Sequence, residues 1–146
     1  MASLIDYAKA RFDYEILEWF EAGIELLGFE VKSLKLKHGS LEGSYVIIHG
    51  GQAMLQGMLI PPYQEKNTPK DYDPRRPRRL ILSKKEIAGF AHAAKGLTIV
   101  PISVYLKRNL IKVQVALVRG KKKYDKRESI KRREGDREME RAMKDR

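Results

Sequence analysis

The last valine of the chain is Val118, and from Arg119 to Arg146 there is no Phe, Trp, Val or Leu. The only large apolar side chains in that stretch are Tyr124, Ile130, Met139 and Met143. A segment so poor in apolar surface cannot offset the entropy of its own ordering. Whatever core the 146 residues build must therefore come from residues 1–119. That length suits one domain, and a chain of this size buries roughly two thirds of its unfolded surface. The reading is a folded body, residues 1–119, followed by a basic tail, residues 120–146, disordered or marginally helical when free.

The charge follows the same division. The formal net charge is +11 and the pI near 9.8. The last 28 residues hold 13 Lys or Arg against 7 Asp or Glu, so they carry +6, and the longer body carries only +5. A balance this basic points to a polyanionic partner, nucleic acid before others. Ile130 to Lys144 has no proline and is rich in helix formers. Glu134 with Arg137 and Glu138 with Arg141 pair favourably at i, i+3, while Arg133, Arg137 and Arg141 repel at i, i+4. A helix there is marginal in water and firms up against a polyanion. There is no cysteine, which excludes disulfides, thiolate metal sites and cysteine nucleophiles. No apolar run approaches a membrane span, and Met1 to Asp6 has no signal-peptide pattern. The expectation is a cytoplasmic protein with no membrane partner.

The body reads mainly as β-structure. Tyr14 to Phe20 and Ile24 to Leu27 predict two strands around a break at Glu21-Ala22-Gly23. Val31 to Leu36 predicts a short helix. Ser44 to Ile48 and Ala53 to Ile60 predict a hairpin about His49-Gly50-Gly51. Pro61 to Pro77 holds five prolines and predicts a 17-residue connection without structure of its own. Leu80 to Leu82 is a short strand. Ser83-Lys84-Lys85-Glu86 matches a capping box ahead of Ile87, Phe90, Ala91 and Ala94 at helical spacing, with Gly96 to end the helix. Thr98 to Leu106 and Ile111 to Val118 predict a second hairpin through Lys107-Arg108-Asn109-Leu110. About six short antiparallel strands with two to three flanking helices predict a small barrel, and the OB-like barrel suits a basic chain.

Catalytic chemistry is missing from the sequence. His38, His49 and His92 have no metal-ligand spacing, and no phosphate-cradling glycine loop occurs. No group of residues suits acid/base or nucleophilic work, so no enzyme, metal or cofactor is expected. Binding chemistry is plentiful. Arg75-Arg76-Pro77-Arg78-Arg79 closes the long loop with four guanidiniums, which pair bidentately with phosphate and stack on bases. Four phosphate contacts would contribute roughly three units to a salt slope. The same arginines could instead pin the loop to acidic residues of the body. Lys121-Lys122-Lys123-Tyr124-Asp125-Lys126-Arg127 joins a lysine run to a tyrosine able to stack on a base.

Several blocks occur together in order: Arg11-Phe12-Asp13-Tyr14, Glu21-Ala22-Gly23, Gly28-Phe29-Glu30-Val31-Lys32-Ser33-Leu34, Asp73-Pro74-Arg75-Arg76-Pro77-Arg78-Arg79-Leu80, Gly96-Leu97-Thr98-Ile99-Val100-Pro101 and Gly120 to Arg127. Together they resemble the small protein B family, the bacterial SsrA-binding (tmRNA-binding) proteins, from about Lys9 to the C-terminus. The resemblance implies an OB-like barrel that binds the tRNA-like part of tmRNA. It implies delivery with elongation factor Tu to a stalled ribosome, where translation switches to the tmRNA reading frame (trans-translation). The tail would contact the 30S/70S ribosome and its rRNA, enter the empty mRNA path and fold near the decoding centre. A monomer is expected. Carried over by motif, the tmRNA-binding residues are Lys9, Arg11, Glu21, Glu30, Lys32, Ser33, Arg75, Arg76, Arg78, Arg79 and Lys112. The ribosome-contacting residues are Lys121, Lys122, Lys123, Tyr124, Asp125, Lys126 and Arg127. For Glu21 and Glu30 a structural hydrogen bond within the barrel is an equal reading. The chain departs from the family's usual pattern at Tyr7, where Asn is common, and at Tyr72 and Tyr124, where His occurs. Composition alone also admits a structural ribosomal protein with a basic tail.

Overall fold

A computed structural model describes residues 2–91 and 96–120. In chain order the elements are β1 (Ala2–Asp6), α1 (Lys9–Asp13), β2 (Tyr14–Ile24), α2 (Gly28–Lys35), β3 (Tyr45–His49), β4 (Gln52–Gln56), β5 (Arg78–Ile81), α3 (Lys84–Ala91), β6 (Leu97–Lys107) and β7 (Leu110–Gly120). Every strand pairing is antiparallel. The strands run β6-β3-β4-β5-β2-β7, and β7 pairs back onto β6, so the sheet closes on itself. β1 adds to β6 at residues 103–106, beyond the point where β3 meets it at Ile99. This is the mainly β, OB-like small barrel expected, with seven strands where about six are legible.

Alternation along β6 and β7 sets the inside. Val113 and Val115 have no exposed surface and pack with Val104, Leu55, Leu80 and Ala22 in the barrel core. Gln114 and Ala116 take the other face, as strand period two demands. α2 contributes Leu34 and α3 contributes Phe90, which meets Phe20 edge-on with centroids 4.5 Å apart. On the outer face of β6 and β7, α1 lays Ala10 over Val100, Ile102, Ala116 and Val118, a second small core.

Asp13 to Leu27 is not two strands about a turn. Tyr14–Ile24 is one strand of 11 residues with a register shift between Ile16 and Glu18. Glu21-Ala22-Gly23 stays extended because Ala22 is fully buried and Gly23 lies under Ile81, opposite it on β5. A Cβ at Gly23 would stand 3.3 Å from the Ile81 Cβ, so the missing side chain admits β5. β1 and α1 lie in a stretch with no strand or helix expectation. The hairpins turn as expected: Gly50 and Gly51 have φ of 58° and 74°, and Arg108 and Asn109 have φ of 52° and 65°. Ser83 Oγ accepts the Glu86 N–H at 3.1 Å, and Glu86 Oε1 accepts the Ser83 N–H at 3.1 Å, so the capping box is formed.

The long loop has more structure than its prolines suggest. It carries a turn of 3-10 helix at Glu65–Asn67, and the Ile60 N–H donates to the Pro74 carbonyl at 2.9 Å. Among the described residues no helix is long and apolar enough to cross a membrane, and no group of His, Asp and Glu could hold a metal ion. His92 and the tail expectations, including the helix over Ile130 to Lys144 and Lys121 to Arg127, lie outside the described residues.

Candidate nucleic-acid interface

Two of the blocks singled out in the sequence meet in space. α2 places Glu30 in its first turn, where one carboxylate oxygen accepts the Leu27 N–H at 2.8 Å. The other oxygen accepts Arg78 Nε at 2.7 Å and Arg76 Nε at 3.2 Å, and Arg78 Nη2 stands 2.6 Å from it as an ion pair. Arg76 Nη2 completes a two-pronged pairing with Glu30 Oε1. The Tyr72 hydroxyl stands 2.9 Å from Glu30 Oε2 and 2.8 Å from the Ile60 carbonyl, with one proton to give between them, and accepts Arg78 Nη2 at 3.1 Å. The remaining Arg78 donors reach the carbonyls of Met58 at 2.7 Å, Arg76 at 3.1 Å and Pro74 at 3.0 Å. One carboxylate thus gathers the strand after the loop, the loop itself and the helix.

Neighbouring α2 side chains reinforce the clasp. Ser33 Oγ donates to the Pro61 carbonyl at 2.7 Å, Phe29 meets Tyr72 edge-on at 4.7 Å, and Lys32 Nζ lies 5.7 Å above the Tyr63 ring. Burial pushes the Glu30 carboxyl up, but hydrogen bonds from Arg76, the Leu27 N–H and Arg78 outweigh it and hold its pKa below the usual value. Burial and the neighbouring Glu30 carboxylate push the Tyr72 hydroxyl up to about 12.

These positions bear on the two readings that the sequence left open: for Arg76 and Arg78 the geometry is that of arginines pinning the loop to the body, and for Glu30 that of a structural hydrogen bond, while Ser33 holds a loop carbonyl. Arg78, Glu30 and Ser33 have no exposed surface. In this conformation they bind each other and the backbone, and an RNA cannot reach them. Arg76 is part-exposed but committed to Glu30. Arg75 is exposed, with its Nη1 on the Gly57 carbonyl at 3.1 Å, and Arg79 is half-exposed beside Glu25 at 3.3 Å. Lys32 is exposed on α2 and Lys9 on α1; Arg11 lies in α1, with its side chain outside the described residues.

The other carried-over pair sits elsewhere, on the outer face of β2 and β7. Glu21 Oε2 accepts the Tyr105 hydroxyl at 2.5 Å, and Lys107 Nζ lies 3.1 Å from Oε1. Those two bonds, with Lys112 nearby, hold the Glu21 carboxyl below its usual pKa. Lys112 is paired with Gly23 across one strand and Tyr105 across the other. Glu21 and Lys112 therefore share a face, and Glu30 does not join them. Tyr72, Tyr105 and Lys107 complete these clusters and carried no role in the sequence. Tyr105 and Lys107 share a strand face by their spacing of two, but only the β2–β7–β6 register brings Glu21 to them.

The chain's relatives agree on one family. The SmpB protein family matches residues 4–145. The SsrA-binding protein of Chlorobaculum tepidum is 50% identical over 143 residues, 96% of this chain and 90% of that protein. The SsrA-binding protein of Microcystis aeruginosa is 46% identical over 143 residues, 97% of this chain and 93% of that protein. A solved structure of tmRNA-SmpB, on the journey to the center of the bacterial ribosome, holds a similar chain with a TM-score of 0.68 and 38% identity, covering 88% of this chain and 95% of that one. The family match over nearly the whole chain, the 50% identity over 143 residues and the shared fold converge, and the chain belongs to the SmpB family.

Proposed function

We propose that this chain is the RNA-binding adaptor of trans-translation, binding tmRNA and carrying it to stalled ribosomes. It acts by binding and not by catalysis, as its family does. The observation that carries the reading is the 50% identity to an SsrA-binding protein over almost the whole length of both chains. The barrel supports it: a closed sheet and a clasped loop present a fixed surface, which suits recognition of one folded RNA by shape.

The finer assignments build on that. The tRNA-like part of tmRNA is held by the body, through exposed side chains such as Lys9, Lys32, Arg75, Arg79 and the Glu21–Lys112 face. Arg11 joins them. Arg76, Arg78, Glu30 and Ser33 act on the RNA indirectly, by holding the loop. Lys121 to Arg127 open a tail that probes the empty mRNA path near the decoding centre. Elongation factor Tu joins through tmRNA, and the protein works as a monomer in the cytoplasm. A gel shift of the full chain against tmRNA, with tRNA as competitor, tests the reading. A shift that excess tRNA fails to reverse is expected; equal competition by tRNA overturns it.

A further inference from the structure

Two hairpins of the barrel make the same turn with different residues. His49 pairs with Gln52, and Lys107 with Leu110, so each hairpin encloses two residues. Both turns are of the mirror-image kind that needs positive φ at both central positions. The first uses Gly50 and Gly51, at 58° and 74°, where no Cβ opposes the conformation. The second uses Arg108 and Asn109, at 52° and 65°. Asn visits this region readily, but a long side chain such as Arg is strained there. Lys37, the other non-glycine at positive φ among the described residues, stands just past the end of α2, where helices ordinarily adopt it. Arg108 has no such excuse in its position.

The fold gains no contact from this arginine. Arg108 is exposed and has no hydrogen bond or ion pair among the described residues. Asn or Gly would keep the tip wet and make the turn without strain. The residue after the turn is as costly to solvate. Leu110 is 61% exposed, more than any other large apolar side chain among the described residues. Its register explains where it points the hairpin. Leu110 is opposite Lys107, and Lys112, two residues on, is opposite Tyr105. Leu110 therefore continues the face that Glu21, Tyr105 and Lys112 share, one rung or about 7 Å nearer the tip. Lys107 Nζ is held by Glu21 at 3.1 Å, which leaves Arg108 as the cation of the tip without a partner.

A guanidinium that the body does not pair, on a turn strained to hold it, suits an oxyanion that it can bind two-pronged. The basic body and the continuity with Lys112 favour a phosphate over the carboxylate of a protein. We infer that the β6–β7 hairpin tip is a contact of its own to the tRNA-like part of tmRNA, Arg108 pairing with one backbone phosphate and Leu110 packing on the ribose beside it. The inference rests on the RNA-binding reading above. It extends the Glu21–Lys112 face by two residues that carried no role in the sequence, and it gives the strain at Arg108 a cause.

A residue kept for binding at a cost to the fold has a signature: stability and affinity part company when it is replaced. In the full chain, Arg108→Asn relieves the turn and removes the charge. Its melting temperature should equal or exceed that of the wild type. Its binding to the tRNA-like part of tmRNA, read by gel shift, should weaken about tenfold. The slope of log K against log salt should fall by about 0.7 to 0.9, the loss of one phosphate contact. Arg108→Lys keeps the charge on the same turn and should keep the slope. Leu110→Ala should weaken binding about fivefold with the slope unchanged, because an apolar contact releases no counterion. A lower melting temperature in Arg108→Asn would mean that the arginine serves the fold. Unchanged affinity in Arg108→Asn would mean that the tip stands clear of this RNA. Either result overturns the inference, as does a slope that falls equally in Arg108→Lys. Leu110→Ala with the affinity of the wild type overturns the ribose contact. A wild-type chain that binds no tmRNA overturns instead the reading beneath.

Discussion

Arg78 Nη2 lies 2.6 Å from Glu30 Oε2, and neither side chain has any exposed surface. Burying two charges costs several kcal/mol each unless their attraction and hydrogen bonds offset it. Here the hydrogen bonding is complete: no buried side-chain nitrogen or oxygen among the described residues lacks a partner. Removing one member leaves the other charged and dry. Glu30→Ala should lower stability by about 3–5 kcal/mol, read by equilibrium urea denaturation. Arg78→Met should cost less, because Arg76 still answers Glu30 and the methionine stem fills part of the hole. If both variants unfold like the wild type, the clasp is incidental. RNA affinity should track the folded fraction in both, as expected of residues that act through the loop.

The clasp also sets a pH signature at each end of the scale. Glu30 has a folded pKa below that of the unfolded chain, about 4.3. Its contribution is present above that value and lost as the pH falls through the lower folded pKa. The stability gap between wild type and Glu30→Gln should therefore be constant near neutrality and narrow below about pH 4. Tyr72 works in the opposite sense. Its hydroxyl is raised to about 12, so its contribution is present below the unfolded value near 10 and lost as the pH climbs toward 12. Absorbance at alkaline pH should show Tyr72→Phe removing one late-titrating phenol. Loss of a phenol that titrates near pH 10 would show that Tyr72 is not held by Glu30.

Period and punctuation made much of the barrel legible. Val113 and Val115 face the barrel core at the period of two a strand should show, Ala116 and Val118 take the other face at the same period, and the Ser83–Glu86 box starts its helix at the right residue. The misreadings have one physical source. Glu21-Ala22-Gly23 looks like a turn locally, yet β5 and β7 on either side keep it extended. For Arg76 and Arg78 the sequence left phosphate and a carboxylate of the body as alternatives, because the partner, Glu30, lies more than 40 residues away. A guanidinium that faces phosphate and one that faces a buried carboxylate have the same sequence. Only α2 packing on the loop tells them apart. Tyr72 was visible as a departure from the family pattern, but its hydroxyl has meaning only between Glu30, Ile60 and Arg78.

β7 is paired with β2 as far as Gly120, opposite Tyr14, so the seven strands found among the described residues all lie at or before that residue. A chain ending there should keep its fold and its affinity for tmRNA nearly intact, and should fail to support tagging on stalled ribosomes. Gel shifts and a tagging assay on one preparation separate the two. Loss of tmRNA binding as complete as the loss of tagging would show that body and tail do not divide the work.

Salt dependence can distinguish arginines that touch RNA from arginines that hold the loop. Each phosphate contact contributes about 0.7 to 0.9 to the slope of log K against log salt. If all four arginines met phosphate, their removal would lower the slope by roughly three. The geometry leaves only Arg75 and Arg79 free to do so, since Arg78 is sealed and Arg76 is drawn to Glu30. The double variant Arg75→Ala, Arg79→Ala should reduce the slope by no more than about 1.8 and leave thermal stability almost unchanged. Arg76→Ala should do the reverse, lowering stability with little change in slope for the fraction that remains folded. An unchanged slope in the double variant would turn this face away from the RNA. A slope lowered by Arg76→Ala in fully folded protein would mean that Arg76 leaves Glu30 when RNA arrives, because a guanidinium committed to a carboxylate releases no counterion from phosphate.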